Sequence, residues 1–140
     1  MGLGRITRFA KTPRGARRVG VMRKGTAGLK ELAPSTALLA QFERRKKSFI
    51  AAGVDKDEAH ARAADRCDYR ERFKKEIRSN PAAMAALRAI VDDSKSRDVF
   101  LMCMCPYRTI DRACHTYVLL DLAAELDPSV EIIDEPGPAR

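Results

Sequence analysis

Residues 98–126 constrain the fold more than any other stretch of the chain. Val99, Leu101, Cys103 and Cys105 alternate with Phe100, Met102 and Met104, so a strand here presents an apolar side chain to each face. That pattern belongs to a central strand covered by helices on both sides. Pro106 cannot continue a ladder, and Asp111 is a good N-cap for a helix carrying Cys114 and His115 in its first turn. Three cysteines and a histidine therefore gather at the carboxyl end of one strand, which is where open α/β sheets place their ligands.

The rest of the chain fits around this unit. Residues 5–9 suggest a first strand, Thr12-Pro13-Arg14-Gly15 a turn and residues 17–23 a second strand. Pro34-Ser35-Thr36 reads as a helix start, with Ala37, Leu38, Leu39 and Phe42 on the apolar side. A long helix is expected from Asp55 to about Arg78, since Ala59, Ala63, Cys67, Tyr69, Phe73 and Ile77 recur at helical spacing. Asn80-Pro81 opens the next helix, buried through Met84, Leu87, Ile90 and Val91. Residues 130–133 offer a last strand, parallel to the central one. The expected fold is a single-domain, layered α/β fold with a mostly parallel central sheet flanked by helices. Its limits are a basic segment at residues 1–16, the domain at 17–135 and a disordered tail at 136–140.

At 140 residues the chain can bury a core without disulfide or metal staples. It contains no apolar run long enough to span a membrane as a helix, so no membrane partner is expected. Cys67, Cys103, Cys105 and Cys114 lie in apolar helix and strand patterns with no secretory segment before them, which points to reduced thiols in a cytoplasmic protein. The net charge of +8 is concentrated early: Arg5, Arg8, Lys11, Arg14, Arg17, Arg18, Arg23, Lys24 and Lys30 all precede the first acid, Glu31. Pro13, Gly15 and Gly20 interrupt any amphipathic transit helix there. The run from Arg5 to Lys30, with Arg44, Arg45, Lys46 and Lys47, gives a nucleic-acid-associated role a physical basis, since such charges displace counterions from phosphate backbones. With aromatic content of 6% and no tryptophan, there is little for stacking on single strands; a solvated basic face is the competing explanation.

Several segments together resemble the YeaO-like domain of unknown function. Arg18-Val19-Gly20-Val21-Met22-Arg23 is similar to its Arg-Val-Leu-Val-Asp-Arg strand, and Leu32-Ala33-Pro34-Ser35 to its Leu-Ala-Pro-Ser element. Residues 69–77, Tyr69-Arg70-Glu71-Arg72-Phe73-Lys74-Lys75-Glu76-Ile77, resemble its aromatic-x-x-Arg-aromatic-x-x-Glu-aliphatic helix. Leu101-Met102-Cys103 and Cys114-His115 resemble its Leu-x-Cys strand and Cys-His helix start. Met22 stands where the family usually has aspartate, Cys105 where an acid is common, and Thr116 where an arginine usually follows Cys-His. The resemblance implies a small α/β domain and assigns no reaction.

Four readings compete for the cysteine cluster. Thiolate and imidazole are preferred zinc ligands, but adjacent Cys114 and His115 diverge by about 100° on a helix; no metal and no cofactor is expected. Plain packing suits Cys103 and Cys105, because buried free cysteine behaves as a small hydrophobe. A reactive thiol suits Cys114 at a helix start, with His115 as acid or base and Arg108 and Arg112 near, which makes Cys114 and His115 the catalytic candidates. On this reading Cys114 is partly accessible. An anion site would combine the helix N-terminus with Arg23, Arg108 and Arg112. The expected ligand site is therefore Arg23, Cys103, Cys105, Arg108, Arg112, Cys114 and His115, holding a small anionic ligand or nucleotide. His60 is expected on the surface.

Overall fold

A computed structural model describes residues 1–23, 28–103 and 112–136. Three strands, β1 (Leu3–Thr7), β2 (Arg17–Gly20) and β3 (Val99–Cys103), form one parallel sheet in the order β1-β3-β2. Leu3 pairs with Val99 and Thr7 with Cys103 on one side of β3, while Arg17 pairs with Val99 and Gly20 with Met102 on the other. The expected central strand is thus central, and the chain is a single-domain α/β fold. Both N-terminal strands end two to three residues earlier than expected, so Val21 and Arg23 lie beyond β2.

Parallel register puts paired residues on one face. Leu3, Val19, Val99 and Leu101 turn into the main core, where the helices lie. These are α1 (Thr36–Ala51), α2 (Lys56–Arg66), α3 (Tyr69–Arg78), α4 (Pro81–Asp93) and α5 (His115–Leu126), with a short 3-10 turn at Lys30–Leu32. The opposite face is covered differently from the expectation of helices on both sides. Ile6, Phe100 and Ala10 form a small cluster there, with Ala16, Met102 and Ile133 against it, so the connection from β1 to β2 and the C-terminal segment provide the cover. Met102 is accordingly half-buried, whereas Val99, Phe100 and Leu101 are buried.

Local chemistry explains most helix boundaries. Ser35 accepts from the Leu38 amide to cap α1, Asp55 from Asp57 to cap α2, and Asn80 from Ala82 and Ala83 to cap α4, with Pro81 at the first position. The long helix expected through Arg78 is two helices, because Cys67 caps α2 and Asp68 takes a left-handed conformation with φ 51°. Aspartate tolerates that region better than most residues. The break lets Tyr69 meet Phe42 with ring centroids 4.5 Å apart and sends Phe73 toward α5. Phe73 is fully buried, and its ring meets His115 at the start of α5. Along α1, Leu38 and Phe42 are buried while Ala37 is exposed.

His60 is buried, against expectation, with its ring edge-on to Phe42 at 4.8 Å between centroids. Burial, reinforced by Lys46, lowers its pKa to about 4. The expected last strand is reduced to one parallel bridge between Ile132 and Leu3, on the outer edge of β1, and so keeps the expected parallel direction. No described helix is long and apolar enough to cross a membrane.

Candidate functional site

Arg5 stands in the middle of β1, in register with Leu101 on the helix-facing side. It is 2% exposed. Isolated buried guanidinium is costly, so every face of the group needs a partner. Nε donates to Thr116 Oγ1 at 2.9 Å, Nη1 to the Tyr117 hydroxyl at 3.3 Å and Nη2 to Cys103 Sγ at 3.2 Å. A short ion pair joins Nη1 to Glu135 from the C-terminal segment, and the group also lies over the Tyr117 ring, 4.6 Å from its centroid. Burial by itself would lower the Arg5 pKa; the negative potential of Cys114, Cys103, Glu135 and Tyr117 more than offsets this and raises it.

The start of α5 supplies the other half. Cys114 occupies the N-cap position, and Thr116 Oγ1 donates to its sulfur at 3.2 Å while accepting from Arg5. His115 Nε2 lies 2.7 Å from the Val21 carbonyl. A carbonyl only accepts, which assigns the proton to Nε2 and leaves Nδ1 of the neutral ring as an acceptor. Nδ1 is 3.9 Å from Cys114 Sγ, so the thiol faces a base on one side and a hydroxyl donor on the other. Phe73 holds the imidazole edge-on, 5.4 Å between centroids and 89° between planes. Thr7, in register with Cys103 at the carboxyl ends of β1 and β3, is buried, and its Oγ1 has no hydrogen-bond partner among the described residues.

The motif segments converge around His115. Val21 carries the carbonyl that His115 meets. Arg23 Nε donates to the Pro34 carbonyl at 2.6 Å and Nη2 to that of Lys30 at 3.2 Å, so this side chain fastens the start of α1 and is committed to backbone. The Ser35 amide donates to Glu76 of α3 at 3.0 Å, which ties α1 to the helix that also carries Phe73.

Of the expected site residues, Cys103 meets Arg5, while Cys114 lies against Thr116 and its neighbour His115. Cys114 is 1% exposed rather than partly accessible, with its sulfur against the Thr116 hydroxyl that Arg5 also meets. Arg112 points outward, pairing with Asp121 at 3.1 Å and lying over the Tyr117 ring. The N-cap of α5 is Cys114 rather than the expected Asp111, because the helix begins only at His115; Cys105, Arg108 and Asp111 lie outside the described residues. The described cysteines, Cys67, Cys103 and Cys114, are free thiols.

Sequence reasoning missed Arg5, Thr116 as a partner, and Glu135. The signal for Arg5 is its place between Leu3 and Thr7 at strand spacing, which puts a charge on a buried face. No curated protein and no solved structure matches this chain. A family model described as "Active DUF488-N3 subclade" matches residues 3–126. That span holds both halves of the site except Glu135, and it is the family to which the YeaO-like segments point; the chain belongs to the DUF488 family of unknown function.

Proposed function

We propose that this domain binds a small anionic ligand or nucleotide at the carboxyl end of the central strand, with the ligand's negative group meeting Arg5. The observation that carries this reading is a guanidinium buried on the helix-facing side of a parallel sheet, beside two thiols and the N-terminus of α5. Such a group is the natural counter-charge for a phosphate or carboxylate. The buried Thr7 hydroxyl, which has no partner among the described residues, adds a donor at the same strand ends. Cys114 and His115 are the pair at which chemistry on such a ligand would occur. The family description's word "active" agrees with a retained site, and the free thiols agree with a reducing, cytoplasmic setting.

The test is calorimetric titration with inorganic phosphate and with a nucleoside monophosphate, comparing the wild-type chain with Arg5→Met and Arg5→Lys, whose folding is checked by circular dichroism. Saturable binding that disappears in Arg5→Met is expected. Binding indifferent to Arg5 in a folded variant contradicts the reading.

A second reading, a nucleic-acid-associated module, is favoured by a surface groove lined by Arg44, Arg45, Arg66 and Arg72. The early basic run contributes less to it than the sequence suggests, because Arg5 is buried, Arg17 pairs with Asp93 and Arg23 binds backbone. Binding to generic DNA or RNA that falls steeply with salt and is weakened by replacing Arg44 and Arg45 is the outcome this second reading requires.

A further inference from the structure

The C-terminal segment lies along the outer edge of β1 and delivers Glu135 to Arg5. Leu3 N donates to the Glu131 carbonyl at 2.8 Å, and Ile133 N donates to the Leu3 carbonyl at 3.0 Å. The seat is built for it: a Cβ on Gly2 would stand 2.6 Å from the Glu131 carbonyl oxygen and from Ile133 Cγ2, and one on Gly4 would stand 2.9 Å from the Ile133 carbonyl oxygen. Yet the segment is lightly held. Ile132 is exposed, Ile133 is only partly buried and Asp134 is exposed. The family match ends at residue 126, so Arg5 belongs to the shared domain while its ion-pair partner Glu135 comes from outside it.

We infer that residues 131–135 form an internal strap whose Glu135 carboxylate occupies the place of the ligand's anionic group on Arg5, so that an incoming phosphate or carboxylate must displace the strap. This rests on the anion-binding reading proposed above. Arg5 is too deeply buried to stand without an anion, so the strap leaves as another anion arrives. A ligand can drive that exchange only by binding the open form better than the closed one. Apparent affinity is therefore reduced by the fraction of molecules in which the strap is open.

The test uses the full chain, inorganic phosphate as probe and three variants: Glu135→Gln, which keeps the strap but removes its charge; Gly2→Val, which evicts the strap from its seat; and Arg5→Met. Affinity for phosphate is measured by calorimetry, and amide hydrogen exchange is followed at Leu3 and Ile133. The expected result is an affinity at least about tenfold higher in Glu135→Gln and in Gly2→Val than in the wild type, with exchange at both amides accelerated by saturating phosphate in the wild type. Arg5-dependent binding of equal affinity in all chains that retain Arg5, with exchange unchanged by phosphate, overturns the strap and leaves the anion-binding reading standing. Absence of Arg5-dependent binding even in Glu135→Gln and Gly2→Val overturns both.

Discussion

Arg5 and Thr116 show how a single polar pair organises the site. Thr116 Oγ1 accepts from Arg5 and donates to Cys114, so one hydroxyl sets the direction of two hydrogen bonds. Replacing Thr116 with valine keeps the volume and strands both partners; a loss of about 1–3 kcal/mol in a urea melt is expected, and a neutral result would mean that water takes over the contacts. Cys114, at 1% exposure, is predicted to react with iodoacetamide at least about tenfold more slowly in the native protein than in urea. Labelling at the unfolded rate would place it at the surface after all. His60 gives a pH signature. Its folded pKa of about 4 lies below the ordinary value of 6.5, so the unfolded chain binds more protons between those values. The stabilisation is complete above about pH 6.5 and is lost as pH falls toward 4. The loss is about 3 kcal/mol, and His60→Leu removes this component of the slope. Identical slopes in the two proteins would refute the assignment. The sequence misled at His60 because its own helix face looks polar, while burial comes from Phe42 on a different helix.

At the scale of elements, what could be read locally was read well. The caps at Ser35, Asp55 and Asn80 and the apolar alternation in β3 depend on neighbours within a few residues, and each stands where the sequence places it. Features set by distant chain were not legible. The break at Asp68 interrupts a continuous apolar period because Tyr69 and Phe73 have partners on α1 and α5, and no residue within the period announces it. The cover over Phe100 comes from the β1-β2 connection and the C-terminal segment, which a two-faced apolar strand cannot distinguish from helices. Phe73→Ala is expected to destabilise by about 3–5 kcal/mol through the α3-α5 contact, and to loosen His115 with it; a loss below about 1 kcal/mol would show that this interface is not tightly packed. Gly28 has φ +99°, and a Cβ there would stand 2.1 Å from the Gly20 carbonyl oxygen. Gly28→Ala should therefore lower the urea midpoint well beyond the cost of an ordinary loop substitution, because it parts the end of β2 from the chain that leads to α1. An unchanged midpoint would contradict the close approach.

Across the whole molecule, parallel strands gather their carboxyl ends at the start of α5, and a segment beyond the family match closes over the result. That arrangement explains why the nearness of Cys114 and His115 is legible in the sequence and the charge beside them is not. Cys103, Cys114 and His115 belong to one strand-loop-helix unit, whereas Arg5 and Glu135 come from opposite ends of the chain and meet only because β1 lies beside β3 and the C-terminal segment beside β1. Anomalous X-ray diffraction from crystals of Glu135→Gln grown with tungstate, an electron-dense phosphate analogue, tests whether Arg5 recognises an anion in this domain. A peak is expected within hydrogen-bonding reach of the Arg5 guanidinium, on the side left by Glu135. A peak confined to the groove of Arg44, Arg45, Arg66 and Arg72, with Arg5 still enclosed by protein, would contradict it.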